Sequence, residues 1–173
     1  MRLHLIGGPG SGKTFLSHSL GKELGAPVLG LDDIFWDRSA GQYGAKADEG
    51  GRDAALRGFV AQERWIVEGV YYRWAMASFE RADHIIVLST PLWVRQMRIF
   101  KRFLRRKAGL EHGKHETWKS FREMAAWNRG YDGDNLARAI AMLEAAGLRA
   151  QRCAGLEGIR RLVDLGKVSL GRR

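Results

Sequence analysis

Apolar residues in this chain gather in short unbroken runs, separated by stretches whose apolar positions return every three or four residues. The runs are "RLHLI", "APVLGLDD", "WIVEG", "HIIVLST" and "LRAQRCAG". A strand that is apolar throughout, rather than at every second residue, is buried on both faces. Such strands alternating with helices predict a parallel sheet of about five strands, an α/β fold. Helical spacing predicts helices at Lys13 to Leu24 (stopped by Gly25), 52–64, 116–127, 134–147 and 156–165. Pro91 opens a further long helix, interrupted by "KAGLEHGKH". Residues 34–51 are rich in glycine and polar side chains and read as a long loop, a kind of segment that often carries function. Repeats, low-complexity tracts and linkers are absent from the sequence, which predicts one domain over residues 1–173.

Composition narrows the class. Hydrophobic residues make up 45% of the chain, ordinary for a globular protein, and the single Cys153 excludes an internal disulfide framework. No uncharged apolar run approaches a membrane span, and glycines cut short the apolar part of "MRLHLIGGPG", so it is no signal peptide. These features predict a cytoplasmic protein, monomeric or homodimeric, with no membrane partner. The net charge of +10 favours anionic partners: nucleic acid, acidic lipid or phosphorylated substrates. Much of that charge lies in "VRQMRIFKRFLRRK", where Arg95, Arg98, Arg102, Arg105 and Arg106 recur at helical spacings.

The most specific chemistry is "GGPGSGKT", which satisfies G-x-x-x-x-G-K-[ST] from Gly7 to Thr14 between a predicted strand and a predicted helix. Glycines allow backbone angles that other residues avoid, so successive N–H groups can turn inward around an anion. The positive end of the following helix adds to the same spot. The motif predicts a P-loop holding a nucleoside triphosphate, ATP, through Gly8, Pro9, Gly10, Ser11, Gly12, Lys13, Thr14 and Phe15. Lys13 would reach the terminal phosphates, and the Thr14 hydroxyl would ligate Mg²⁺.

Among P-loop proteins, a GTPase would show an N-K-x-D segment, and none exists here. A mechanical ATPase would place an acidic pair after an apolar strand and add a second domain; "HIIVLST" lacks the acids and the chain is too short. A small phosphotransferase remains. Ligands of parallel sheets bind at the carboxyl ends of strands, which points to "LDD", "EGVYYR" and "STP". Asp32 can hold an acceptor hydroxyl and take its proton, with Asp33 beside it; the other reading of both is a turn or helix cap. Glu68 can organise Mg²⁺ through water or pair with an arginine. Gly69 lets the chain turn close to a substrate, with Tyr71 and Arg73 next in line.

Arginine forks commonly cover the charge that Lys13 and Mg²⁺ leave on a transferring phosphoryl group. Arg102, Arg105 and Arg106 precede a glycine-containing break, as a hinged lid over about 102–120 requires. Arg102 and Arg106 are the expected catalytic members and Arg105 a nucleotide contact. His112 and His115 lack a third ligand nearby, so zinc is not expected. The tryptophans, among them Trp36, Trp65, Trp93, Trp118 and Trp127, are expected in the core or the substrate cleft.

Taken in order, "GGPGSGKT", "LDDIFW", "WIVEGVYYR" and "LSTPLWVRQMRIFKRFLRR" resemble the adenylate-kinase-like P-loop proteins called DNA topology modulation proteins. The resemblance runs from Leu3 to about Trp127. It implies a nucleoside-monophosphate-kinase-like core, a lid from the arginine segment, and adenine near residues 153–155. Two departures fall in the implied acceptor region: Val70 replaces the family's asparagine, and "DRSAGQYG" replaces the expected "KPGW" after Trp36.

The expectation is therefore an ATP- and Mg²⁺-dependent kinase acting on a nucleotide or another small hydroxyl- or phosphate-bearing acceptor. The alternative is a nucleotide-binding regulator that contacts nucleic acid and hydrolyses ATP weakly. The charge allows it, although no helix-turn-helix or base-stacking motif supports it.

Overall fold

Strands β1 (Arg2–Ile6), β2 (Val28–Gly30), β3 (Trp65–Gly69), β4 (His84–Leu88) and β5 (Ala150–Cys153) form a single sheet in the computed structural model. All pairings are parallel and the spatial order is β2-β3-β1-β4-β5. The structure describes residues 1–37, 45–110 and 117–170, with side chains up to residue 163. His112, His115, most of "DRSAGQYG" and the middle of the expected lid lie outside the described residues.

Residues of β1, β3 and β4 alternate between two covered faces, which is why those runs are largely apolar, whereas Gln151 and Arg152 of the edge strand β5 are exposed. Leu3 and Leu5 of β1, Ile66 of β3 and Ile86 of β4 pack on one side with Leu16, Leu20, Ile159 and Val163. Those partners belong to α1 (Lys13–Leu24) and α8 (Gly155–Leu170). Ile6, Trp65, Val67, Ile85 and Val87 face the other way, onto Leu56, Val60, Phe79 and Leu143. That second layer comes from α3 (Glu49–Val60), α4 (Met76–Arg81) and α7 (Ala137–Ala145). Each such buried side chain contributes roughly 1.5–3 kcal/mol.

Several elements differ from the sequence expectation. The second strand stops at Gly30, and Leu31–Phe35 forms a short helix, α2, so Asp32 and Asp33 sit on a helical turn and not on a strand end. The expected loop 34–51 is correspondingly shorter. Its base is held by a Trp36–Lys46 bridge and by the hydrogen bond from the Asp37 amide to the Ala45 carbonyl, 2.9 Å. Asp48 caps α3 by accepting from the Gly51 amide at 2.8 Å, which starts that helix three residues before the expected point. Helix α4 was not expected at all; it is too short for a periodic pattern. Pro91 does open the long basic helix α5 (Leu92–Lys107), and a Thr117–Ser120 capping box starts α6 (Trp118–Gly130). A π-helical turn, Asp132–Leu136, then leads into α7. Among the described residues, no helix is long and apolar enough to cross a membrane.

The register brings three strand ends to one edge. Glu68 lies opposite both Leu5 and Gly30, so the segments leaving β1, β2 and β3 emerge side by side.

A candidate active site at the carboxyl edge of the sheet

The glycine-rich loop leaves β1 at this edge. Gly10 (φ 75°) and Gly12 (φ 96°) adopt the left-handed region that favours glycine, and the chain then enters α1 at Lys13. Helix α5 packs behind the loop so closely that side chains have no room. A Cβ on Gly10 would stand 2.6 Å from the Arg95 carbonyl oxygen, and one on Gly8 would stand 2.2 Å from Arg95 Nη1.

Lys13 folds back over the loop, its Nζ donating to the carbonyl oxygens of Gly7 at 2.7 Å and Gly8 at 3.2 Å. Burial lowers its pKa, opposed by the negative charges of Glu68 and Asp32 and reinforced by the positive charges of Arg102 and Arg95. The two carboxylates and two arginines therefore all act electrostatically on the same ammonium group. Thr14 donates its hydroxyl to Glu68 Oε1 at 2.7 Å. Pro9, Phe15 and Gly69 complete the near wall. The Ser11 hydroxyl is buried in the loop and makes no hydrogen bond.

Beyond Lys13 the space widens into a cleft of about 1220 Å³. Asp32 faces it from α2 and accepts a 2.7 Å hydrogen bond from the Tyr71 hydroxyl. Burial and this contact with Asp32 raise the Tyr71 pKa, so the phenol remains a donor. Phe35 stacks on Tyr71 with ring centres 4.5 Å apart, and Trp74 lies nearly parallel to Phe35 at 6.2 Å. Arg52 reaches over Trp74 at 4.4 Å while pairing with Asp53 at 2.8 Å. Cations outnumber carboxylates along the lining.

The arginines of α5 share one side of the helix and differ by where they sit along it. Arg95 is 2% exposed and points behind the loop. Arg98 donates to the carbonyl oxygens of Gly10 at 3.1 Å and Ser11 at 3.3 Å, at the loop's rim. Arg102 lines the cleft, with its Nε buried and making no hydrogen bond among the described residues. Arg105 and Arg106 do not line it in this structure.

The structure thus brings together Lys13, Thr14, Asp32, Glu68, Gly69, Tyr71, Arg73 and Arg102. Asp33 is not part of the cleft lining and lies against Gly30, whose added Cβ would stand 2.8 Å from Asp33 Oδ2 and 3.6 Å from Glu68 Oε1. Trp36 and Trp127 line the cleft and Trp65 is core, whereas Trp93 and Trp118 are 69% and 52% exposed, unlike the expectation for them. Sequence reasoning missed Arg98 as a loop contact, and also Phe35, Arg52 and Trp74. Arg98 carried a signal, one helical turn before Arg102. The others come from segments whose facing no local pattern sets.

Among the described residues, no three His, Cys, Asp or Glu side chains gather into a metal-holding group. The Thr14–Glu68 pair suits an ion that keeps most of its waters and binds mainly through phosphate oxygens, as Mg²⁺ does. Fold and cleft define an α/β protein with a cationic cleft at the carboxyl edge of a parallel sheet. No family model matches this chain, and no curated protein matches it either.

Proposed function

We propose that this protein is a P-loop phosphotransferase that moves the γ-phosphoryl group of MgATP to a small acceptor, with a hydroxyl oxygen as the favoured nucleophile. One observation carries the reading. A single cleft collects the glycine loop with Lys13, the Thr14–Glu68 pair, an arginine of α5 and, across from them, the Asp32 carboxylate. The loop amides and Lys13 would hold the phosphates, and Thr14, with Glu68 through water, would hold Mg²⁺, which would supply charge neutralisation to the phosphates. Arg102 covers charge that develops on the equatorial oxygens in transfer.

Asp32 suits a hydroxyl better than a phosphate acceptor, because a second anion beside a carboxylate is repelled. Tyr71 holds one Asp32 oxygen, which leaves the other to accept from the acceptor. The acceptor oxygen bonds to the γ-phosphorus, the bond to the ADP oxygen breaks, and the acceptor proton passes to Asp32.

The nucleic-acid reading would use the exposed cations of α5, among them Arg98 and Arg105. Arg95 is buried, Arg98 is engaged with the loop carbonyls and Arg102 lines the cleft, which favours the phosphotransferase.

The test is ADP release from MgATP against a panel of nucleosides, nucleotides, sugars and aminoglycosides, with wild type and Lys13→Ala. Acceptor-dependent release that Lys13→Ala abolishes in a folded protein is expected. Undiminished turnover in folded Lys13→Ala would overturn the reading, as would salt-sensitive nucleic-acid binding with no acceptor found.

A further inference from the structure

Arg95 stands out in α5 because it is almost wholly buried and sits behind the loop without lining the cleft. Its Nη1 and Nη2 donate to Asp132 Oδ1 and Oδ2 at 3.1 and 2.5 Å, a two-pronged pair. Among the described residues those are the fork's only hydrogen bonds; Nε makes none. Asp132 is 57% exposed, on the π-helical turn between α6 and α7, so the pair runs from the surface to the back of the glycine loop. There the guanidinium shares the space behind Gly8 with Asn128 and Tyr131, whose atoms would stand 3.1 and 2.9 Å from an added Cβ.

Burying an arginine to meet a carboxylate is a poor way to gain stability, since an apolar side chain of similar volume packs as well without losing hydration. The geometry supplies another reason for an arginine. Its fork presses on Gly8, and its own backbone carbonyl presses on Gly10. Both glycines belong to the loop whose amides must converge on one anion. The next turn of the same helix places Arg98 on the carbonyls of Gly10 and Ser11.

We propose that Arg95, clamped by Asp132, is a positioning residue that holds the glycine loop in the shape that receives a polyphosphate. The inference rests on the phosphotransferase reading for the identity of the ligand. The charge of Arg95 is also felt at the loop's cation, since it is among the influences that lower the Lys13 pKa. The Asn128 side chain and the Tyr131 hydroxyl, both buried and making no hydrogen bonds among the described residues, leave Asp132 as the group that orients the fork. The clamp also ties the loop to the α6–α7 connection, far from it in sequence.

The experiment is calorimetric titration of MgATP and of inorganic tripolyphosphate into wild type, Asp132→Asn, Asp132→Glu and Arg95→Lys, each well below its melting temperature. Loss of a charge-assisted two-pronged contact is expected to weaken both ligands by about tenfold or more in Asp132→Asn. Arg95→Lys keeps the charge but not the planar fork, so it fails to restore affinity. Asp132→Glu, with a carboxylate and open space around it, recovers most of the loss. Wild-type affinity in folded Asp132→Asn and Arg95→Lys overturns the positioning role while leaving the phosphotransferase reading intact. If both variants unfold, Arg95 is structural and the role also falls. Wild type that binds neither ligand overturns the reading itself, and the inference with it.

Discussion

His4 gives the sharpest quantitative prediction, because it is a fully buried imidazole in the central strand. The Ser78 hydroxyl donates to the Ala75 carbonyl at 2.7 Å, which uses its only proton. His4 Nδ1 must therefore be the donor in its 2.8 Å contact with Ser78 Oγ. Nε2 makes no hydrogen bond, and the ring stacks on Phe79 at 4.1 Å. A second proton on Nε2 would bury a charge without a partner, and this loss of hydration pushes the pKa down to about 3. The unfolded imidazole titrates near 6.5. Below about pH 6.5 the unfolded chain thus takes up a proton that the native state refuses, so native stability falls with acid until about pH 3. The full gap of about 3.5 units is worth about 5 kcal/mol, of which about 2 kcal/mol is lost by pH 5. That is a sizeable share of a domain stability of about 5–15 kcal/mol. Urea unfolding of wild type and His4→Leu, at about pH 7.5 and about pH 5, isolates this group from the other titrating side chains. The free-energy difference between the two proteins is expected to shift by about 2 kcal/mol in favour of His4→Leu on going to the lower pH. Parallel pH dependence of the two would show that native His4 titrates normally, and the reasoning from its burial would be wrong.

Asp32→Asn is expected to slow phosphoryl transfer by about a hundredfold, and Tyr71→Phe, which frees Asp32 to rotate, by about tenfold, both with MgATP affinity nearly unchanged. Coupled ADP release at saturating MgATP reads this, and an unaltered rate in Asp32→Asn would move proton acceptance to Glu68. Arg102→Lys should depress kcat by about tenfold more than Arg105→Lys does, because Arg102 lines the cleft and Arg105 does not. Equal losses in single-turnover measurements would show that the distal part of α5 also reaches the phosphates.

Much of the site was legible because it is local in the chain. The spacing from Gly7 to Thr14 dictates a loop whose backbone angles require glycine and whose next turn presents Lys13 and Thr14 together. The structure has Gly10 and Gly12 in the left-handed region, and Lys13 opening α1. The apolar runs of β1, β3 and β4 were equally legible, since strands covered on both faces cannot tolerate polar alternation; the edge strand β5, with Gln151 and Arg152 exposed, lacks that cover. The same cover explains why the parallel sheet followed from pattern alone.

Facing is another matter, and only the tertiary structure decided it. A helix that carries arginines at 95, 98, 102, 105 and 106 presents all five within an arc of about 100°, so their spacing alone does not tell them apart. Which of them meet the loop depends on how Ile99 and Phe103 seat the helix, and both of these are buried. Asp32 and Asp33 are neighbours on a short helix, about 100° apart around its axis, so one enters the cleft and the other lies against Gly30. Arg52 and Asp132 join the site region from segments far along the chain, through contacts that no spacing encodes. Covalent geometry and backbone angles act over a few residues, and a sequence displays them directly. The direction a side chain takes is set by the apolar surfaces that close against its element, and those surfaces meet only when the chain has folded.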